Sequence, residues 1–134
     1  MGYRLVETDA VEPETDRPCD CRKLTDAAGL DNMAINRFRA EPGEQVPLAY
    51  HHHETQEEAF YVLSGTLHVE TPDETFEVPT DGLFTVDPGS PHRAYNPADA
   101  DDSVDLLALG APPVAGDAVP HETDAEARNP SEDE

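Results

Sequence analysis

Basic residues are scarce in this chain. Thirty acids face eight lysines and arginines, the formal net charge is −22, and Lys23 is the only lysine. Such a surface repels phosphate backbones and anionic lipid, so neither nucleic acid nor a membrane surface is an expected partner. The acids also punctuate residues 7–20 and 99–105 instead of collecting in a tail. That spread favours a protein adapted to high salt, where self-repulsion is screened.

Tryptophan is absent and cysteine nearly so. Cys19 and Cys21 stand two residues apart, too close on an extended chain to bridge each other easily, so no intrachain disulfide framework is expected. Two thiols alone do not make a metal site. The pair is expected to be reduced, near the edge of the fold. No apolar run approaches the roughly 20 residues of a membrane span. The start, MGYRLVETDA, lacks a basic region followed by an apolar stretch, and Val6 breaks the myristoylation pattern. The cytoplasm is the expected location.

Thirteen prolines and eight glycines leave no room for long helices. The length suits one domain. Residues 1–30 read as an acidic N-terminal arm with one edge strand, GYRLV. Within the arm, Thr25–Asn32 is expected to make one helical turn, capped by Thr25 or Asp26 and stopped by Gly29. From residue 31 to 111 the chain alternates in short runs: MAINRFRA, QVPLAYHHH, EEAFYVLSG, TLHVE, ETFEV, LFTVD, HRAYN and SVDLLALG. Short strands at this spacing predict an all-β sandwich or barrel. LSGTL and TPDET read as hairpin turns. Residues 112–134 lack aromatics and are rich in acids, Pro and Ala, so a disordered or loosely docked tail is expected there.

The chemistry concentrates in AYHHHETQEEAFYVLSG. On a strand, alternate side chains share a face. His51 and His53 therefore point one way, and His52 the other. On the next strand Glu58 shares a face with Phe60 and Val62. If those two line the interior, Glu58 enters it and Glu57 stays outside. A bare carboxylate and unpaired imidazoles are costly inside a barrel, and a divalent metal relieves that cost. Of the other histidines, His121 lies in the tail and His68 shares a face with Thr66 and Glu70 toward solvent. His92, after the turn-rich DPGSP, is the best candidate for a fourth ligand. Phe60, Val62, Leu67, Val69, Phe84 and Val86 read as core or pocket wall, and Tyr61 as an outer packing residue. Arg37 and Arg39 share a face and are expected to offset nearby carboxylates; an anion anchor is the functional alternative. Asn96 reads as a structural hydrogen-bonding residue.

These residues resemble the cupins, small β-barrels with two sequence motifs. The first appears here as Gly43, His51, His53, Glu58 and Gly65. The second appears in DGLFTVDPGSPHRAYN, with Gly89, His92 and Asn96. The resemblance covers roughly Met33 to Gly110. Three features depart from the family pattern: a longer stretch between Gly43 and His51, Asp87 in place of a proline, and the reversed order Asp81-Gly82. None removes a ligand. The resemblance implies a jelly-roll β-barrel of two antiparallel sheets. It implies one divalent metal (Fe, Mn, Ni, Co or Zn) on His51, His53, Glu58 and His92, and a homodimer. It further implies metal-dependent chemistry on a small metabolite, dioxygenase-, isomerase- or decarboxylase-like; the alternative is a non-catalytic module that binds or senses a small molecule. The sequence shows no nucleophile–base pair outside the ligand set, so any chemistry is expected to centre on the metal.

The high-salt reading has a direct test. The melting temperature is expected to rise as KCl increases toward molar levels, where the screening length is about 3 Å. A flat series would count against it.

Overall fold

The computed structural model describes residues 2–114 and 116–121. Within these, the alternating runs form short antiparallel strands. They are β1 (Asp20–Lys23), β2 (Ala34–Ala40), β3 (His51–His53), β4 (Glu57–Ser64), β5 (Leu67–Glu70), β6 (Thr75–Val78), β7 (Leu83–Val86), β8 (Arg93–Tyr95), β9 (Val104–Ala111) and β10 (Ala118–Pro120). One sheet has the order β1-β2-β9-β4-β7 and another the order β6-β5-β8. β10 pairs with β3, and β3 meets the chain just before β8 through a bridge between His51 and His92. The result is the expected cupin-type jelly roll with little helix.

The core follows from the register. Phe38, Leu106 and Val62 lie side by side across β2, β9 and β4, with Asn36, Ala108 and Phe60 one pleat further along. Ala34, Gly110 and Glu58 form the next rung. The opposing sheet contributes Leu67, Val69, Val78 and Ala94 to the same apolar cluster. Phe84 packs against that cluster and stacks on Phe60. The residues read as core are therefore core. His68 lies on the other face of β5 from Leu67 and Val69, next to Tyr95.

Several local expectations are corrected. LSGTL is a corner, not a hairpin, because β4 and β5 belong to different sheets. Gly65 adopts φ +81° there, and a Cβ would lie 2.5 Å from the Ser103 carbonyl oxygen, so the corner requires glycine. TPDET does turn a hairpin, joining β5 to β6. Thr25–Gly29 does make a single helical turn, with the Ala28 N–H on the Leu24 carbonyl, and stops at Gly29 (φ +66°), but the Thr25 hydroxyl does not cap it and accepts the Ile35 N–H instead. A short 3-10 turn occurs at Thr8–Ala10. The arm's edge strand is β1, with Asp20 opposite Arg39, and not GYRLV. Cys19 and Cys21 accordingly face the core as free, buried thiols. The region read as a tail begins with ordered chain: Val119 pairs with His52. Residues 122–134 lie outside those described. Among the described residues, no helix is long and apolar enough to cross a membrane.

Residues 2–6 form no strand in the single chain, and Tyr3 and Leu5 are 91% and 88% exposed. A homodimer remains the expectation, and such side chains are available to pack against a second copy. Sizing chromatography in molar KCl is expected to report a dimer; a particle of 14.6 kDa would contradict it.

Candidate metal centre

Backbone pairing brings the first two histidine-bearing segments together. His51 and His92 exchange main-chain hydrogen bonds of 3.1 and 2.8 Å, so their side chains stand next to each other. Strand alternation turns His53 to the same side as His51. Glu58 comes from the opposing sheet, on the rung with Ala34 and Gly110. Three imidazoles and one carboxylate thus meet between the sheets.

The inward atoms are the ones that bind metals. His51 Nε2 lies 3.1 Å from His53 Nε2, and His92 Nε2 lies 2.9 Å from Glu58 Oε1. His53 Nε2 is 3.4 Å from Glu58 Oε2. Ligand atoms of His51, Glu58 and His92 all fall within 4.8 Å of one another. Spacings near 3 Å are those of adjacent ligands on an ion bonded at about 2.1 Å.

Tautomers follow from the outer nitrogens. His51 Nδ1 lies 2.8 Å from the Ala49 carbonyl oxygen, and His92 Nδ1 lies 2.9 Å from that of Ser90. A carbonyl only accepts, so each Nδ1 carries a proton and donates it. In the neutral rings Nε2 then presents a lone pair to the interior, the arrangement that favours metal ligation. His53 Nδ1 is buried without a hydrogen bond, 3.7 Å from Asp117.

The electrostatics prepare the same ligand states. Burial, reinforced by the nearby His92, lowers the His51 pKa to about 4, so this ring is neutral at ordinary pH. Burial pushes the Glu58 carboxyl up, but hydrogen bonds with His53 and His92 overcome it and bring the pKa down to about 2. The bond with Glu58 raises His53, against the effect of burial. An ionised carboxylate facing imidazole nitrogens needs a shared proton or a cation between them. A divalent ion fits this donor set and would replace those protons.

The cluster opens onto a cavity of about 390 Å³. Its wall is mostly apolar, including Phe38, Val46, Leu48, Phe60 and Ala108, with Asn36, Gln56 and Arg17 as further polar groups. The volume falls in the range of small-molecule sites.

Other sequence candidates stand apart from this cluster's chemistry. Arg39 donates to Asp105 at 2.7 Å, and Arg37 bonds the Thr8 hydroxyl at 3.0 Å and lies 3.9 Å from Asp105, so both offset carboxylates. The buried Asn96 amide donates to the carbonyls of Ala40 and Asp102. The Tyr61 hydroxyl donates to Asp81. Asp87 is exposed, and its main-chain carbonyl accepts from Ser90. His52, turned outward, is hydrogen-bonded to His121.

Asp117 escaped the sequence reading because it sits among many acids with no periodic pattern around it. Its carboxylate accepts the N–H groups of Glu54, Thr55 and Gln56, the loop between the two ligand strands. It therefore fixes the path from His53 to Glu58. Arg17 and Asn36 were missed as cavity residues for a similar reason, since only the folded chain brings them to the wall.

Comparison with known proteins agrees with the fold. The family model for the cupin domain matches residues 36–107. The polyketide synthase CurC of Streptomyces cyaneus is 31% identical over 105 residues, covering 74% of this chain and 64% of the relative. The chain thus spans a little under two thirds of that protein. Among solved structures, the polyketide cyclase RemF from Streptomyces resistomycificus superposes with a TM-score of 0.69 at 25% identity, covering 90% of this chain and 92% of RemF. A putative sugar phosphate isomerase from Acidithiobacillus ferrooxidans matches with a TM-score of 0.62 at 28% identity, over 69% of this chain and 58% of that protein.

Asp117 gives a stability prediction. Burial raises its pKa, but the three backbone N–H groups outweigh burial and hold it below the ordinary value. A depressed folded pKa stabilises the protein above the unfolded pKa and loses that contribution as pH falls through the folded value. Asp117→Ala is expected to lower the urea midpoint at pH 7, with the gap to wild type narrowing as the pH drops below about 4. Equal midpoints at pH 7 would refute the loop-anchoring role.

Proposed function

The chain belongs to the cupin family, and we propose that His51, His53, Glu58 and His92 hold one divalent metal ion for chemistry on a small metabolite. One observation carries this reading. Ligand atoms of His51, Glu58 and His92 lie within 4.8 Å of one another at a cavity wall, His53 Nε2 stands beside His51 and Glu58, and the outer nitrogens of His51 and His92 are tied to carbonyls. When bound, such an ion supplies a Lewis acid that polarises a carbonyl or lowers the pKa of a bound water.

The protein's own residues do the rest. Ala49 and Ser90 fix the ring orientations through their carbonyls. Asp117 holds the loop that carries Glu58 into place. Phe60, whose ring centroid lies 5.9 Å from that of His92, walls the ligand set on the apolar side and excludes water. An ion held by His51, His53, Glu58 and His92 would be able to take a substrate group from the cavity as well.

Among the reactions considered, isomerisation or cyclisation of a carbonyl compound is favoured. A putative sugar phosphate isomerase and a polyketide cyclase are both among the similar proteins. Dioxygenase- or decarboxylase-like activity and non-catalytic binding are the competing readings.

Metal analysis of protein freed of any tag is expected to find one transition-metal ion per chain. Glu58→Ala and His92→Ala should each weaken metal binding by roughly tenfold or more, since even outer-shell changes cost that much. No stoichiometric metal in wild type, with Glu58→Ala unchanged, would sink the proposal. Oxygen uptake by the Fe(II) form on catechols, thiols or keto acids would move the reaction to the dioxygenase class.

A further inference from the structure

One cation of the cavity wall lacks a partner. In a chain with thirty acids, most of the other cations described are paired. Arg22 holds Asp20, Lys23 faces Glu14, Arg37 and Arg39 share Asp105, and Arg93 holds Glu70. Arg17 makes no ion pair among the described residues. Its Nε is buried without a hydrogen bond, although the side chain lines the cavity. A guanidinium N–H left in that state is costly, and an anion is the group that relieves it.

The Cys19 and Cys21 thiols sit close enough to feel Arg17, but burial dominates and pushes Cys19 to about 12 and Cys21 upward as well. Both stay neutral at ordinary pH. Glu14, Asp20 and Glu44 also act on the two neighbouring thiols, but none of them pairs with Arg17 among the described residues. Among the described residues, the one acid on the cavity wall is Glu58, which is engaged with His53 and His92. Arg17 is also the only arginine or lysine on the wall among the described residues. A surface of net charge −22 repels an approaching anion, so an anionic substrate needs a local positive group to hold it inside. The planar fork of arginine matches a carboxylate.

We propose that Arg17 sets the specificity of the site for a carboxylate-bearing metabolite with an apolar body. The carboxylate sits on the Arg17 guanidinium, Phe38, Val46 and Leu48 cover the body, and the reacting end reaches the histidine–glutamate cluster. Asn36 offers a further hydrogen-bonding group along the way. Arg17 binds and orients; it takes no part in bond making. This inference rests on the metal-dependent reading above for the role of the far end, but not for the anion contact itself.

The test uses benzoate and its neutral isostere benzamide as probes. Each is titrated calorimetrically, at one fixed KCl concentration, into the full chain without metal and after loading with Zn(II). Wild type is expected to bind benzoate more tightly than benzamide in both forms. Arg17→Gln should weaken benzoate binding by roughly tenfold or more while leaving benzamide binding and Zn(II) content unchanged. Arg17→Lys keeps the charge but loses the fork, and should weaken benzoate severalfold; it carries the comparison if Arg17→Gln fails to fold. No preference for benzoate over benzamide, or equal benzoate binding by wild type and the variants, overturns the proposal. A chain that binds benzoate through Arg17 yet takes up no Zn(II) sinks the metal reading and leaves this one standing.

Discussion

Glu58 faces His92 at 2.9 Å and His53 at 3.4 Å across the gap between two sheets. Much of the local structure serves that contact. An ionised carboxylate in such a place is stable only if positive charge and hydrogen-bond donors meet it from the other side. The opposing sheet supplies imidazoles, and the outer nitrogen of His92 is committed to the Ser90 carbonyl, so its inner one faces the carboxylate. The apolar cluster behind them sets the spacing of the sheets and hence the distance across the gap. Packing and site are therefore one problem: the core that holds the sheets together also decides how closely the ligands converge.

Charge is distributed by a similar logic outside the cavity. Arg37 and Arg39 lie next but one along β2 and both reach Asp105, which is buried to 8% exposure on β9. The Ser64 hydroxyl donates to the same carboxylate. Isolated exposed pairs contribute little, but a partly buried carboxylate with several donors is better satisfied. Arg37 and Arg39 are thus drawn to a place where the fold would otherwise bury an unpaired acid. Arg17 departs from this pattern, and that departure gives it functional weight.

Most of the fold was legible in the sequence because its signals were local. Period-two alternation in MAINRFRA and EEAFYVLSG gives inward and outward faces directly, and the faces of His51, His53 and Glu58 follow from it. The strands that escaped, β1 and β10, lie in the acidic, proline-bearing stretches at either end of the barrel, where no alternation stands out. What makes them strands is their partners, Asn36 to Arg39 and the histidine triplet, far away along the chain. LSGTL shows the same limit. A glycine turn between two strands looks like a hairpin, and only the wider pairing shows that the strands part into different sheets.

The candidate site divides along the same line. The contacts that choose tautomers are local: His51 bonds the carbonyl two residues before it, and so does His92. The contacts that bring ligands together span long stretches: His92 to Glu58 covers 34 residues, and Asp117 to the loop at Thr55 covers 62. Local contacts can form in a loosened chain, whereas long-range ones depend on the whole barrel being closed. Loss of tertiary packing would therefore leave the histidines with suitable rings but no common focus. The sequence can show which residues are fit to be ligands, and the long-range pairing decides that they meet.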